Sequence, residues 1–147
     1  MPRAGPFWDA VEGRAPLPRA AATLGLEVLA VDENHGTIHV AFTAPEAWTN
    51  PAGNVLGAFV GAMLYDTVGP ALLATVDPDQ FQSTLQLSVT YLRPVRPGRL
   101  VGTGRVVHRH GDVAALEAAL TDDGGSMVAT ATATALVIPL VAAQSAV

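Results

Sequence analysis

The chain has 147 residues, enough for one domain with a sizeable core. Half of them are hydrophobic, 14% are charged and 5% aromatic, so the core must be built mainly from Ala, Val and Leu, and disorder is excluded. All 8 basic residues are Arg, and 13 acids bring the net charge to −5, which argues against a duplex nucleic acid partner. The absence of Cys excludes thiol catalysis, thiolate zinc sites and disulfide scaffolds.

In chain order, residues 1–17 are rich in Pro and Gly and are expected to form a flexible lead-in. They carry no apolar run of the kind a secretory signal needs, so the cytoplasm is the expected location. A single domain is expected over residues 18–140, with a short tail at 141–147. Within it, residues 18–23 read as a short helix stopped near Gly25. Residues 26–31 and 37–43 read as two strands of a hairpin around the turn Asp32-Glu33-Asn34-His35-Gly36, with Ile38, Val40 and Phe42 on one face. Residues 44–55 hold two Pro, two Asn and a Gly, and read as a loop.

Residues 56–76 form a 21-residue apolar run whose only charge is Asp66. The run is long enough to span a bilayer. A mid-run acid, three glycines, Pro70 and the lack of flanking Lys or Arg favour instead a buried helix at the centre of a soluble fold.

The rest is β. Leu85, Leu87, Val89 and Tyr91 alternate with Thr84, Gln86, Ser88 and Thr90, which predicts a strand over 81–92 with these apolar residues on one face. Strands follow over 100–108, 113–121 and 127–137, separated by Pro- and Gly-containing turns. Gly102 and Gly104 predict a bend or the close approach of another backbone. The order β-β-α-β-β-β-β implies an α+β architecture in which an antiparallel sheet wraps one long helix. The exposed sheet edges of such a unit predict a homodimer.

This order, with Asn50-Pro51-Ala52-Gly53-Asn54-Val55-Leu56-Gly57-Ala58 leading into a helix that carries Asp66-Thr67, resembles the hot-dog-fold thioesterases of the PaaI-like (phenylacetate-pathway) group. Residues 84–94 look like that group's central strand, and the likeness covers roughly residues 20–138. The resemblance implies hydrolysis of an acyl-CoA thioester, with no cofactor beyond the coenzyme A of the substrate, by a homodimer assembling to a homotetramer. Asp66 would be base or nucleophile, Asn50 would orient water or carboxylate, Gly57 would supply the oxyanion N–H, and Thr84 would face the site from the neighbouring subunit. The chain departs from the group at two places. Leu56-Gly57-Ala58 stands where His-Gly-Gly is common, and the position of the group's acid falls on Tyr65, with Asp66 one residue later. A non-catalytic acyl-CoA binder on the same fold is therefore the alternative.

Asp66, alone among apolar residues, is expected to have a raised pKa suited to general-base work. Arg93, Arg96, Arg99, Arg105 and Arg109 gather within a short stretch, and guanidinium suits the phosphates of coenzyme A. Arg93, Arg96, Arg109 and His110 are the expected contacts, with Phe59 and Met63 setting the depth of the acyl pocket. His108 and His110 share a strand face but lack a third ligand, so no metal site is expected. No His lies in residues 40–107, which disfavours a hydratase, and no Ser stands in a nucleophile elbow.

Overall fold

The computed structural model describes residues 3–145. Its elements are α1 (Pro6–Val11), α2 (Arg19–Thr23), β1 (Glu27–Asp32), β2 (Thr37–Ala44), a 3-10 turn (Glu46–Trp48), α3 (Gly57–Leu73), β3 (Gln80–Tyr91), β4 (Gly98–His110), β5 (Val113–Thr121), β6 (Met127–Pro139) and α4 (Leu140–Ser145). The six strands form one antiparallel sheet in the order β1-β2-β4-β5-β6-β3, so β1 and β3 are its edges.

The long helix sits on one face of this sheet. Ile38, Val40 and Phe42 of β2 point at it, as do Leu100 of β4 and Leu116 and Leu120 of β5, all essentially fully buried with Met63, Leu64, Val68 and Leu72 of α3. Each such large side chain contributes about 1.5–3 kcal/mol on burial. The glycines of β4 set how deeply the helix sinks. A Cβ on Gly102 would stand 2.7 Å from Thr67 Oγ1, and one on Gly104 would stand 2.9 Å from the Thr67 carbonyl oxygen. The close approach expected from these two glycines is that of α3 itself. Thr67 satisfies its buried hydroxyl by donating to the Met63 carbonyl at 2.7 Å.

Two expectations fail. Residues 1–17 were expected to be loose, yet from residue 3 the segment is built into the fold. Trp8 of α1 is buried, Arg3 lies over its ring at 4.3 Å, and the same guanidinium binds both carboxylate oxygens of Glu33 in the β1–β2 turn. Burial of an indole and a cation–π contact outweigh the Pro and Gly content. Likewise the expected tail begins as α4 (Leu140–Ser145); residues 146–147 lie outside the described residues.

The strict alternation expected along β3 also breaks. The pairing with β6 shifts register between Thr84 and Gln86, leaving Leu85 as an exposed bulge residue. A bulge switches which residues face inward. Gln82 and Thr84 turn inward before it, and Leu87 and Val89 pack on the core after it. No helix among the described residues is long and apolar enough to cross a membrane.

Candidate active site

Asp66 lies in the second half of α3, and its side chain enters a cavity of about 200 Å³. Its walls include Trp8 of the N-terminal segment, Val28 of β1, Tyr65 and Leu73 of α3, and Phe81 and Gln82 of β3. Among the described residues, Asp66 Oδ2 is the one buried side-chain polar atom without a hydrogen-bond partner. Burial pushes this carboxyl up to about 6 from an ordinary 3.8, because desolvation disfavours the charged form. Pro70, inside the helix, has no N–H to offer the Asp66 carbonyl one turn earlier, so the backbone is loosened at the same residue.

A second feature is the N-terminus of α3. Leu56 occupies the cap position and no side chain caps the helix. The amides that open the helix, Gly57 first among them, precede its first i→i−4 bond and carry the positive end of its dipole. The loop ahead is held by Asn50. Its Oδ1 accepts from the amides of Ala52 at 3.0 Å and Asn54 at 3.2 Å, and its own N–H donates to the Asn54 carbonyl at 2.7 Å. The carbonyl of the Asn50 side chain therefore shapes the loop.

Helix geometry separates these two features. Asp66 stands nine positions after Gly57, which is about 13.5 Å along the axis and about half a turn around it. Tyr65 is turned nearer the face of Gly57 and is 47% exposed. One chain alone therefore cannot put the Gly57 amide and the Asp66 carboxylate on the same small group.

The other expected residues are dispersed. Thr84 is half-buried, and its hydroxyl donates to Gln82 Oε1 at 3.1 Å. Phe59 stacks on Trp48 with ring centroids 4.5 Å apart. Met63, expected in the acyl pocket, is fully buried in the core and does not line the cavity. The arginines do not form one cluster. Arg99 pairs with Glu27, Arg105 with Glu117, and Arg109 donates to the Gly111 carbonyl at 2.9 Å. Arg96 approaches the loop before α3, with Nη1 3.8 Å from the place a Cβ on Gly53 would take. Arg109 and His110 stand at the far end of β4, roughly 35 Å away at the rise of an extended strand. Among the described residues, no three His, Asp or Glu side chains gather to share a metal ion. Gln82, which lines the cavity, was not singled out by the sequence; its signal is hidden by the bulge.

The model of the thioesterase superfamily matches residues 52–129. No match was found among curated protein sequences. Among solved structures, a phenylacetic acid degradation-related protein of Ralstonia eutropha JMP134 is 38% identical at a TM-score of 0.85, over 88% of this chain and 98% of that one. The PaaI protein from the phenylacetic acid degradation operon of E. coli is 16% identical at a TM-score of 0.79, over 90% of this chain and 93% of that one. A Streptococcus mutans UA159 protein solved with acetyl-CoA bound is 23% identical at 0.70, over 78% and 89%. The last two bear on the fold alone.

Proposed function

The chain belongs to the thioesterase superfamily and has its hot-dog fold, and from that premise we propose that it hydrolyses an acyl-CoA thioester to the free acid and CoA. The reading is carried by Asp66, a half-buried carboxylate with a buried, unpartnered Oδ2 in a largely apolar cavity, poised near neutral pH. The ionised carboxylate takes a proton from water as the water oxygen attacks the thioester carbonyl. The developing oxyanion accepts a hydrogen bond from the Gly57 amide at the positive end of α3. Collapse of the tetrahedral intermediate breaks the C–S bond, and the proton on Asp66 passes to the leaving thiolate.

The separation of Gly57 from Asp66 requires that each site draw them from different copies of the chain. A two-fold interface supplies this, because antiparallel α3 helices bring the start of one beside the middle of the other. Support comes from the β3 edge, where Leu85 and Tyr91 are exposed, as is Leu92 just after it. Pairing two such edges removes an exposed row of strand amides and carbonyls. The homotetramer would join two dimers. For the CoA half, the acetyl-CoA seen in the Streptococcus mutans structure supports a CoA thioester as ligand, and we assign its phosphates to Arg93 and Arg96.

The test is thiol release over short, long and aromatic acyl-CoAs, with Asp66→Asn and Tyr65→Phe alongside. Hydrolysis that survives in Tyr65→Phe and is lost in Asp66→Asn supports the reading; equal turnover by Asp66→Asn overturns it. The half-exposed Tyr65 at the family's acid position favours one rival, a non-catalytic acyl-CoA binder. That rival predicts thermal stabilisation by CoA thioesters without thiol release.

A further inference from the structure

Gln82 is one of two buried polar side chains among the described residues, the other being Thr67. A buried amide needs partners at both ends. The oxygen has one, since the Thr84 hydroxyl donates to Gln82 Oε1 at 3.1 Å. In the structure the amide is set with Oε1 towards Thr84. Nε2 is thereby turned to α3, where it lies 2.9 Å from the point a Cβ on Gly69 would occupy. A glycine at 69 leaves the amide that space.

Gly69, Gln82 and Asp66 line the same cavity. Gly69 is three residues beyond Asp66, so the two positions are neighbours on one helix face, about 5–6 Å apart. The amide donor and the Asp66 carboxyl group therefore open on the same space, about one helical turn apart along α3, with Trp8, Leu73 and Phe81 as the apolar surround. A water held there donates to the carboxylate and accepts from Gln82 Nε2, which leaves its second lone pair free to attack. Two polar partners are the minimum a buried water needs.

We propose that Gln82, oriented by Thr84 and admitted by Gly69, is the residue that positions the attacking water against Asp66. The assignment rests on the hydrolytic reading above. Gln82 touches the water; Thr84 acts through Gln82 and is a positioning residue.

Gly69→Ala is the sharpest variant, because Ala is the better helix former and the substitution displaces only the end of a side chain. We expect its melting temperature to equal or exceed the parent's while kcat falls by about tenfold to a hundredfold at nearly unchanged KM. Gln82→Leu should show the same split, Thr84→Val a smaller one, and Thr84→Ser close to parental values. If Gly69→Ala and Gln82→Leu both keep parental kcat while Asp66→Asn is inactive, the proposal is overturned and the hydrolytic reading stands. If Asp66→Asn keeps turnover, the hydrolytic reading fails, and a high-resolution crystal structure decides the water site separately. An ordered water bonded to both Gln82 Nε2 and Asp66, absent from Gly69→Ala, supports the assignment; a dry gap, or a water on Asp66 alone, refutes it.

Discussion

The hydroxyl of Tyr91 donates to the carbonyl of Gly57 at 2.8 Å, and the Tyr91 ring lies 3.2 Å from where a Cβ on Gly57 would stand. The end of the edge strand β3 is thus fastened to the first residue of α3, and the opening amide of the helix is held in place from below. A pair of substitutions separates the amide from the space. Gly57→Ala adds a Cβ and keeps the N–H; Gly57→Pro adds a ring and removes it. Proline suits the first helical position, and Leu56, at φ −57° and ψ 135°, already has the backbone a following proline requires. Loss of one oxyanion donor costs about 10²–10³ in kcat. Gly57→Pro is expected to lose that much and Gly57→Ala far less, read by single-turnover thiol release.

The Asp66 carboxyl has opposite consequences for activity and stability. As a base it must be ionised, so kcat should fall about tenfold per pH unit below about pH 6. Its folded pKa lies above the unfolded value of 3.8. Between the two, the folded protein holds a proton that the unfolded chain releases, so this group favours folding at low pH and that advantage is lost as pH rises through about 6. The full cost of ionising the buried group is on the order of 3 kcal/mol. Asp66→Asn should therefore be more stable than the parent near pH 8, with the gap closing towards pH 4. Denaturant melts at the two pH values measure it, and a gap independent of pH would contradict the placement of Asp66.

Trp8 closes one wall of the cavity with only 6% of its surface exposed. A cavity of about 150 Å³ holds benzene, so the present 200 Å³ suits a compact acyl group. Truncating a buried Trp costs about 3–5 kcal/mol. Trp8→Ala should lower the melting temperature and, on the substrates it still turns over, shift kcat/KM towards longer acyl chains. An unchanged chain-length profile would mean that the N-terminal segment braces the fold without bounding the acyl site.

The division of the arginines gives a further contrast. Arg96→Ala should raise KM for CoA esters several-fold with little change in kcat, and the effect should shrink at high salt. Arg109→Ala, about a β4 length away, should leave KM near the parental value. Steady-state kinetics at two ionic strengths checks both.

Much of this architecture was legible in the sequence because the signals are local. The 113–121 strand, the long apolar helix and the glycine pair at 102 and 104 follow from periodicity and from the space a backbone needs. Asp66 stood out because its isolation among apolar residues is visible in one dimension. The failures share a physical cause, which is contact between residues distant in sequence or a shift of register. Arg3 meets Glu33 thirty residues on, so the first segment reads as loose until its partner is seen. Five arginines close in sequence separate once a strand stretches between them. Gln82 looked like one more polar residue of an alternating strand, and only the bulge at Leu85 turns it towards Asp66.

The sharing of one site between two copies admits a direct measurement. Gly57→Pro and Asp66→Asn are each expected to be inactive as homodimers. Unfolded together and refolded as a random mixture, half of the dimers contain one copy of each, and in those one site of the two keeps both an intact Gly57 and an intact Asp66. The mixture should therefore recover about a quarter of the parental thiol-release rate. A mixture that forms heterodimers and stays inactive would contradict the assignment of Gly57 and Asp66 to opposite sides of a shared site.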